Sequence, residues 1–128
     1  MLLFSLKYDI ICVSETWANK SIPDSLLLNG CFYSILRCDR QADRSGGGAC
    51  IFIKSSIKFK PVSIPIIPNI DIVCLDVLGF ETNYRFINCY IPPRSGLMTE
   101  YHVLLTVLIH YLTAMPQLFL PVILTYPM

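Results

Sequence analysis

Short apolar runs alternate along this chain with breaks marked by proline, glycine or charge, and the lengths of those runs decide which elements they predict. Residues 8–14, 49–54, 70–78 and 84–90 are strand-length apolar stretches bounded by turn-forming residues, so each is predicted to be a largely buried β-strand. Another strand is predicted over 31–37, preceded by a short helical piece over 22–28. The polar stretch 39–48, containing Asp43-Arg44-Ser45-Gly46-Gly47-Gly48, reads as a loop feeding the strand at Ala49. Pro61, Pro65 and Pro68 punctuate a connection, and Gly79-Phe80-Glu81-Thr82-Asn83 joins two strands.

The last part of the chain admits two readings, because residues 101–128 contain no Asp, Glu, Lys or Arg over the length of a membrane span. Tyr101, Leu104, Leu105, Leu108 and Leu112 recur at helical spacing, however, while His102, Thr106, His110 and Thr113 gather on the opposite face. Pro116 ends that pattern, and 118–125 then reads as a short strand. An amphipathic helix from about Leu97 followed by a closing strand is therefore expected, with membrane insertion as the competing reading. Strand hairpins interleaved with helices predict an α/β layer domain built on a mixed sheet.

Composition sharpens this picture in two respects. Hydrophobic residues make up 54% of the 128 positions and charged residues only 15%, an apolar balance for a free-standing domain, so part of the surface is expected to meet a partner. The formal charge of +1 supplies no global basic field, and nucleic-acid binding would have to be local. No repeat or linker divides the chain, and 1–128 is read as one domain. The six cysteines lack C-x-x-C or Cys/His spacing suited to zinc and are read as reduced core thiols, which favours an intracellular setting, nuclear or cytoplasmic. The apolar run at residues 1–6 is too short for a signal peptide, and secretion is not expected.

Three segments carry candidate chemistry. In the first, the strand Asp9-Ile10-Ile11-Cys12-Val13-Ser14 runs straight into Glu15-Thr16-Trp17, placing a carboxylate at the carboxyl end of an apolar strand, where open α/β sheets bind ligands and metals. The second is Arg44-Ser45-Gly46-Gly47-Gly48, a glycine run entering a strand, which is not a phosphate-cradling P-loop because it lacks the Gly-Lys-Ser/Thr ending and precedes no helix. The third, Phe86-Ile87-Asn88-Cys89-Tyr90-Ile91-Pro92-Pro93, ends a strand in tyrosine before a double proline. Each residue has a plainer role beside the chemical one. Glu15 is either a ligand or a solvent-facing strand end, and Tyr90 is either a phosphate donor or a core aromatic with a backbone partner. Arg44 is either a phosphate contact or a solvated loop residue, and Trp17 either stacks on a base or packs its loop. His102 and His110 are placed on a polar helix face.

In this order and at these separations, the three segments resemble the N-terminal half of the endonuclease/exonuclease/phosphatase superfamily, most of all the endonuclease domains of non-LTR (LINE-type) retrotransposons, which accompany a reverse transcriptase. The resemblance runs from about Tyr8 to Thr125. It implies a four-layer α/β sandwich of two mixed sheets with helices outside, and hydrolysis of phosphodiester or phosphomonoester bonds with a divalent metal. It further implies that Glu15 holds Mg²⁺, that Tyr90 hydrogen-bonds the phosphate or a neighbouring acid, and that DNA is the substrate, for which Arg44 and Trp17 are the candidate contacts by their own chemistry.

Departures from the family pattern predict a partial sandwich without turnover. The family's first strand carries a metal-binding asparagine, and nothing before Met1-Leu2-Leu3-Phe4 supplies it. The strand ending at Thr125 continues as Tyr126-Pro127-Met128 where the family has Gly-Asp-Phe-Asn. The domain is therefore read as incomplete at both ends and inactive, because one carboxylate and one phenol cannot both activate water and shield a leaving group. A missing partner sheet would also leave an apolar sheet face exposed, available to a protein partner or to self-association.

Overall fold

A computed structural model describes residues 8–28, 32–41, 46–79, 81–92, 102, 103, 106, 107 and 110, and the backbone of 122–125. The elements are β1 (Ile10–Ser14), α1 (Asp24–Leu28), β2 (Tyr33–Cys38), β3 (Ala49–Lys54), β4 (Phe59–Pro61), β5 (Asp71–Val77), β6 (Tyr84–Tyr90) and β7 (Val122–Thr125). They form two sheets, the first ordered β1-β3-β2 and the second β4-β5-β6-β7. All pairings are antiparallel except β6 with β7, which is parallel, so the second sheet is mixed as expected. Parallel neighbours need a crossover, and the chain between Tyr90 and Val122 includes helical residues at 102, 103, 106, 107 and 110.

The period-2 geometry of strands explains how apolar runs serve two layers at once. On β3, Ala49, Ile51 and Ile53 point toward the second sheet and meet Val73, Leu75 and Val77 of β5 together with Tyr90 of β6. Cys50 and Phe52 point the other way, into a cluster that Leu28 of α1 helps to cover. Beyond the second sheet, Cys74, Ile87 and Cys89 pack with Ile67, Ile70 and Ile91 beneath Val107. The arrangement is an α/β fold of two facing sheets with helical residues outside both.

Along β3, β5 and β6 the inner sheet faces are covered, where the sequence allowed for an exposed one. Both sheets are present, and the inner faces of β3, β5 and β6 bury one another. At the far end the contact opens into an apolar cavity of about 330 Å³ lined by Asp9, Ile10, Ile57, Val77, Tyr84 and Phe86. Among the described residues no helix is long and apolar enough to cross a membrane.

The boundaries of β1, β2, β3, β5 and β6 fall within two residues of those expected, while β7 is described from Val122 and the residues 118–121 of the expected strand lie outside the described ones. One element was not anticipated: β4 places Pro61 on an edge strand, where a missing N–H is tolerated. The polar side of the final helical pattern is as expected, with His102, Thr106 and His110 exposed and Thr106 Oγ1 donating to the His102 carbonyl at 2.8 Å. The apolar positions Tyr101, Leu104, Leu105, Leu108 and Leu112 lie outside the described residues.

Two expectations about stability follow. Leu75 is fully buried between the sheets, so Leu75→Ala should cost about 2–5 kcal/mol in chemical denaturation, whereas exposed Leu26→Ala should change stability by less than about 0.5 kcal/mol. Among the described residues Cys12, Cys38, Cys50, Cys74 and Cys89 are thiols. Burial pushes Cys12 up to about 11, and Cys50, Cys74 and Cys89 up to about 12, from an ordinary 9.0. Because the unfolded chain loses these protons first, stability should hold below about pH 9 and fall from there toward pH 12, by up to ~1.4 kcal/mol per pH unit for each thiol. Urea midpoints at pH 7 and pH 10 would measure this, and serine replacements of the same cysteines should flatten the slope.

Candidate active site

All three chemistry-bearing segments reach the same rim of the sandwich, where β1, β2, β6 and β7 end and β3 and β5 begin. Beyond Ser14 the chain keeps contact with the strand beside it, as the Thr16 and Trp17 amides donate to the carbonyls of Gly48 at 3.4 Å and Gly47 at 3.0 Å. Following that path requires left-handed backbone at Glu15 and Trp17, both at φ 55°. Such conformations cost a side-chain-bearing residue on the order of 1–3 kcal/mol and persist where surroundings enforce them. The glycine run provides the enforcement. Gly47 and Gly48 take φ of 106° and 90°, and a Cβ on Gly48 would collide with Thr16 Oγ1.

Buried polar groups hold this rim from the second sheet. Asp71, the first residue of β5, is fully buried and its Oδ2 accepts the Gly48 amide at 2.8 Å. Asn88 is equally buried, its Nδ2 donating to the carbonyls of Val13 at 2.9 Å and Cys50 at 3.0 Å while its Oδ1 accepts the Ser14 hydroxyl at 3.3 Å. Tyr90 lies on the same face of β6, opposite Asp71 in the register. Its hydroxyl donates to Glu15 Oε1 at 2.8 Å, across 75 residues of sequence. The two segments singled out for a carboxylate and a phenol therefore meet.

Arg37 secures the loop that follows. Its guanidinium donates to the Asn19 and Ile22 carbonyls and pairs with Asp24 and Asp39, and the hydrogen bond to Asp39 is the main reason its ionisation is raised further above the ordinary range. Trp17 lies over Gly46 yet remains 58% exposed, so it packs the loop with one edge and offers its remaining surface to solvent beside Glu15. Arg44 lies outside the described residues, and His102 and His110 are exposed on the helical segment.

Ser14, Asp71 and Asn88 were not assigned a role from sequence. For Asn88 a signal was present: an amide two positions before Tyr90 in an otherwise apolar strand shares that tyrosine's face, and a buried amide needs partners. Asp71 carries a weaker mark, since it stands at the second position of the predicted strand 70–78, where a polar residue can face solvent at the strand end.

The sequence pattern of the endonuclease/exonuclease/phosphatase family matches residues 2–120, and the chain belongs to that family. No curated protein gives a match. Family membership defines a nuclease- or phosphatase-type hydrolase fold, in a family that is generally metal-dependent. Among the described residues no group of three or more His, Cys, Asp or Glu side chains is placed to hold a metal ion. Among the described residues the exposed carboxylate at the rim is that of Glu15, Asp71 being buried against the Gly48 amide. That fits a hard cation which keeps most of its waters and takes one carboxylate, as Mg²⁺ does, and does not fit an all-protein cage.

The steric role of the glycine run can be separated from its backbone role. Gly79 shares the φ of 90° but a Cβ there meets nothing within 4 Å. Gly48→Ala should therefore lose more stability in chemical denaturation than Gly79→Ala, by about 1–3 kcal/mol in total, and a Thr16→Ala background should recover the difference between them.

Proposed function

We propose that this domain is a Mg²⁺-binding, DNA-directed endonuclease fold of retroelement origin that binds cation and phosphate without completing turnover. The observation that carries the reading is the 2.8 Å hydrogen bond between Tyr90 and Glu15, which brings the acid of one sheet and the phenol of the other to one rim. Glu15 is the ligand that would hold Mg²⁺, whose charge would offset that of a phosphate and its leaving oxygen. Tyr90 orients the carboxylate with its single hydroxyl proton, which would pass to a phosphate oxygen only by giving up the bond to Glu15. The exposed indole of Trp17 is a stacking surface for an adjacent base, and Arg44 is assigned to the backbone phosphate. The kinship with LINE-type endonucleases rests on Ser14-Glu15-Thr16-Trp17 together with Arg44-Ser45-Gly46-Gly47-Gly48.

The reading without turnover is supported by the proton inventory of the rim among the described residues. Hydrolysis needs one group to take a proton from water and another to stabilise the leaving oxygen. Glu15 is committed to cation and phenol in this reading, and Asp71 is fully buried against the Gly48 amide.

Two measurements test this. Mn²⁺, used as a paramagnetic stand-in for Mg²⁺, should broaden the resonances of Glu15, Thr16 and Tyr90 selectively in the wild type and not in Glu15→Gln. Supercoiled plasmid with Mg²⁺ should remain un-nicked. Nicking abolished by Glu15→Ala would establish the site and overturn the claim of inactivity, whereas uniform broadening in both proteins would remove Glu15 as a ligand.

A further inference from the structure

Apolar contact between two sheets has no preferred direction, so it resists separation far more than it resists sliding. Hydrogen bonds are directional and tolerate little displacement, which makes any that cross between the sheets the elements that set their relative register. Asn88 makes three such bonds, and all three partners lie on the opposite sheet: the Val13 and Cys50 carbonyls and the Ser14 hydroxyl. Val13 and Cys50 face each other in the β1–β3 ladder, so one amide clasps both strands at the same level.

That level is set two residues before the rim on both sides. Val13 precedes Glu15 by two positions, and Asn88 precedes Tyr90 by two, a step of about 7 Å along each strand. The phenol–carboxylate bond at 2.8 Å would be lost if one sheet slid by even about 1 Å against the other. We infer that Asn88 is the positioning residue of the site: its clasp on β1 and β3 fixes the distance between Glu15 and Tyr90. The inference rests on the reading of Glu15 as a cation ligand insofar as it concerns metal affinity, while its geometric content is independent of any metal.

The experiment compares wild type, Asn88→Leu, Glu15→Ala and a control, Val77→Ala, which loosens the inter-sheet core at the end of β5 remote from the rim. Two readouts are taken on the folded proteins: Mn²⁺ affinity by titration, and the ¹³Cζ resonance of Tyr90, which reports its hydrogen bond. Asn88→Leu should bind Mn²⁺ roughly tenfold more weakly, the usual scale for losing a group that orients a ligand. Its Tyr90 resonance should move to the position seen in Glu15→Ala, which removes the acceptor. Val77→Ala should lose stability and keep both. Should Asn88→Leu not fold, Ser14→Ala, which removes one of the three bonds, is read by the same criteria. The inference is overturned if the Asn88 variant, or Ser14→Ala in its place, is less stable but keeps wild-type Mn²⁺ affinity within twofold and an unmoved Tyr90 resonance. If wild type binds no Mn²⁺, the metal reading fails, and the Tyr90 resonance alone decides the role of Asn88.

Discussion

Two apolar sheet faces held together by hydrophobic contact need something directional to settle where one lies on the other, and in this protein that constraint is a set of buried hydrogen bonds at one end of the sandwich. Asn88 reaches the carbonyls of β1 and β3, Asp71 reaches the amide of Gly48, and Tyr90 reaches Glu15. Each runs from the second sheet to the first. At the opposite end the sheets part around an open apolar cavity lined by Ile10, Val77 and Phe86 among others. One end is therefore pinned and polar while the other is held by apolar contact, and the chemistry sits where the geometry is most tightly determined.

The pinned end also carries the local strain of the chain. Glu15 and Trp17 take left-handed backbone because the segment after β1 follows the glycine run, and the run can be followed closely only because Gly48 leaves room for the Thr16 hydroxyl. The same turn lifts the Glu15 carboxylate out of the core toward solvent while leaving it within reach of the buried tyrosine. An acid on the regular strand at Ser14 would instead face the inter-sheet core, where its desolvation would be costly.

Much of this was legible in the chain. Lengths of apolar runs placed β1, β3, β5 and β6, and β3 shows why: it is buried on both faces over Ala49–Ile53 and apolar at each of those positions. The exposed Lys60 and the proline of β4 concealed an edge strand, since exposed edge positions carry no apolar pattern. Glu15 and Tyr90 could be singled out individually as strand-end polar residues, and the family resemblance implied that such a tyrosine pairs with phosphate or a neighbouring acid. Their hydrogen bond could not be read from periodicity, because it depends on how two sheets stack. Asn88 and Asp71 were missed for the same reason: their partners are 23 to 75 residues away in sequence, and local pattern does not encode distant partners.

A double-mutant cycle on Glu15→Ala and Tyr90→Phe tests the central claim most directly, namely that the hydroxyl and carboxylate of the two sheets act as one unit. Unfolding free energies of wild type, both single variants and the double variant should give a coupling of at least about 0.5 kcal/mol, the lower end for residues in direct contact. Strictly additive losses would contradict the account, because the two side chains would then meet at the rim without interacting.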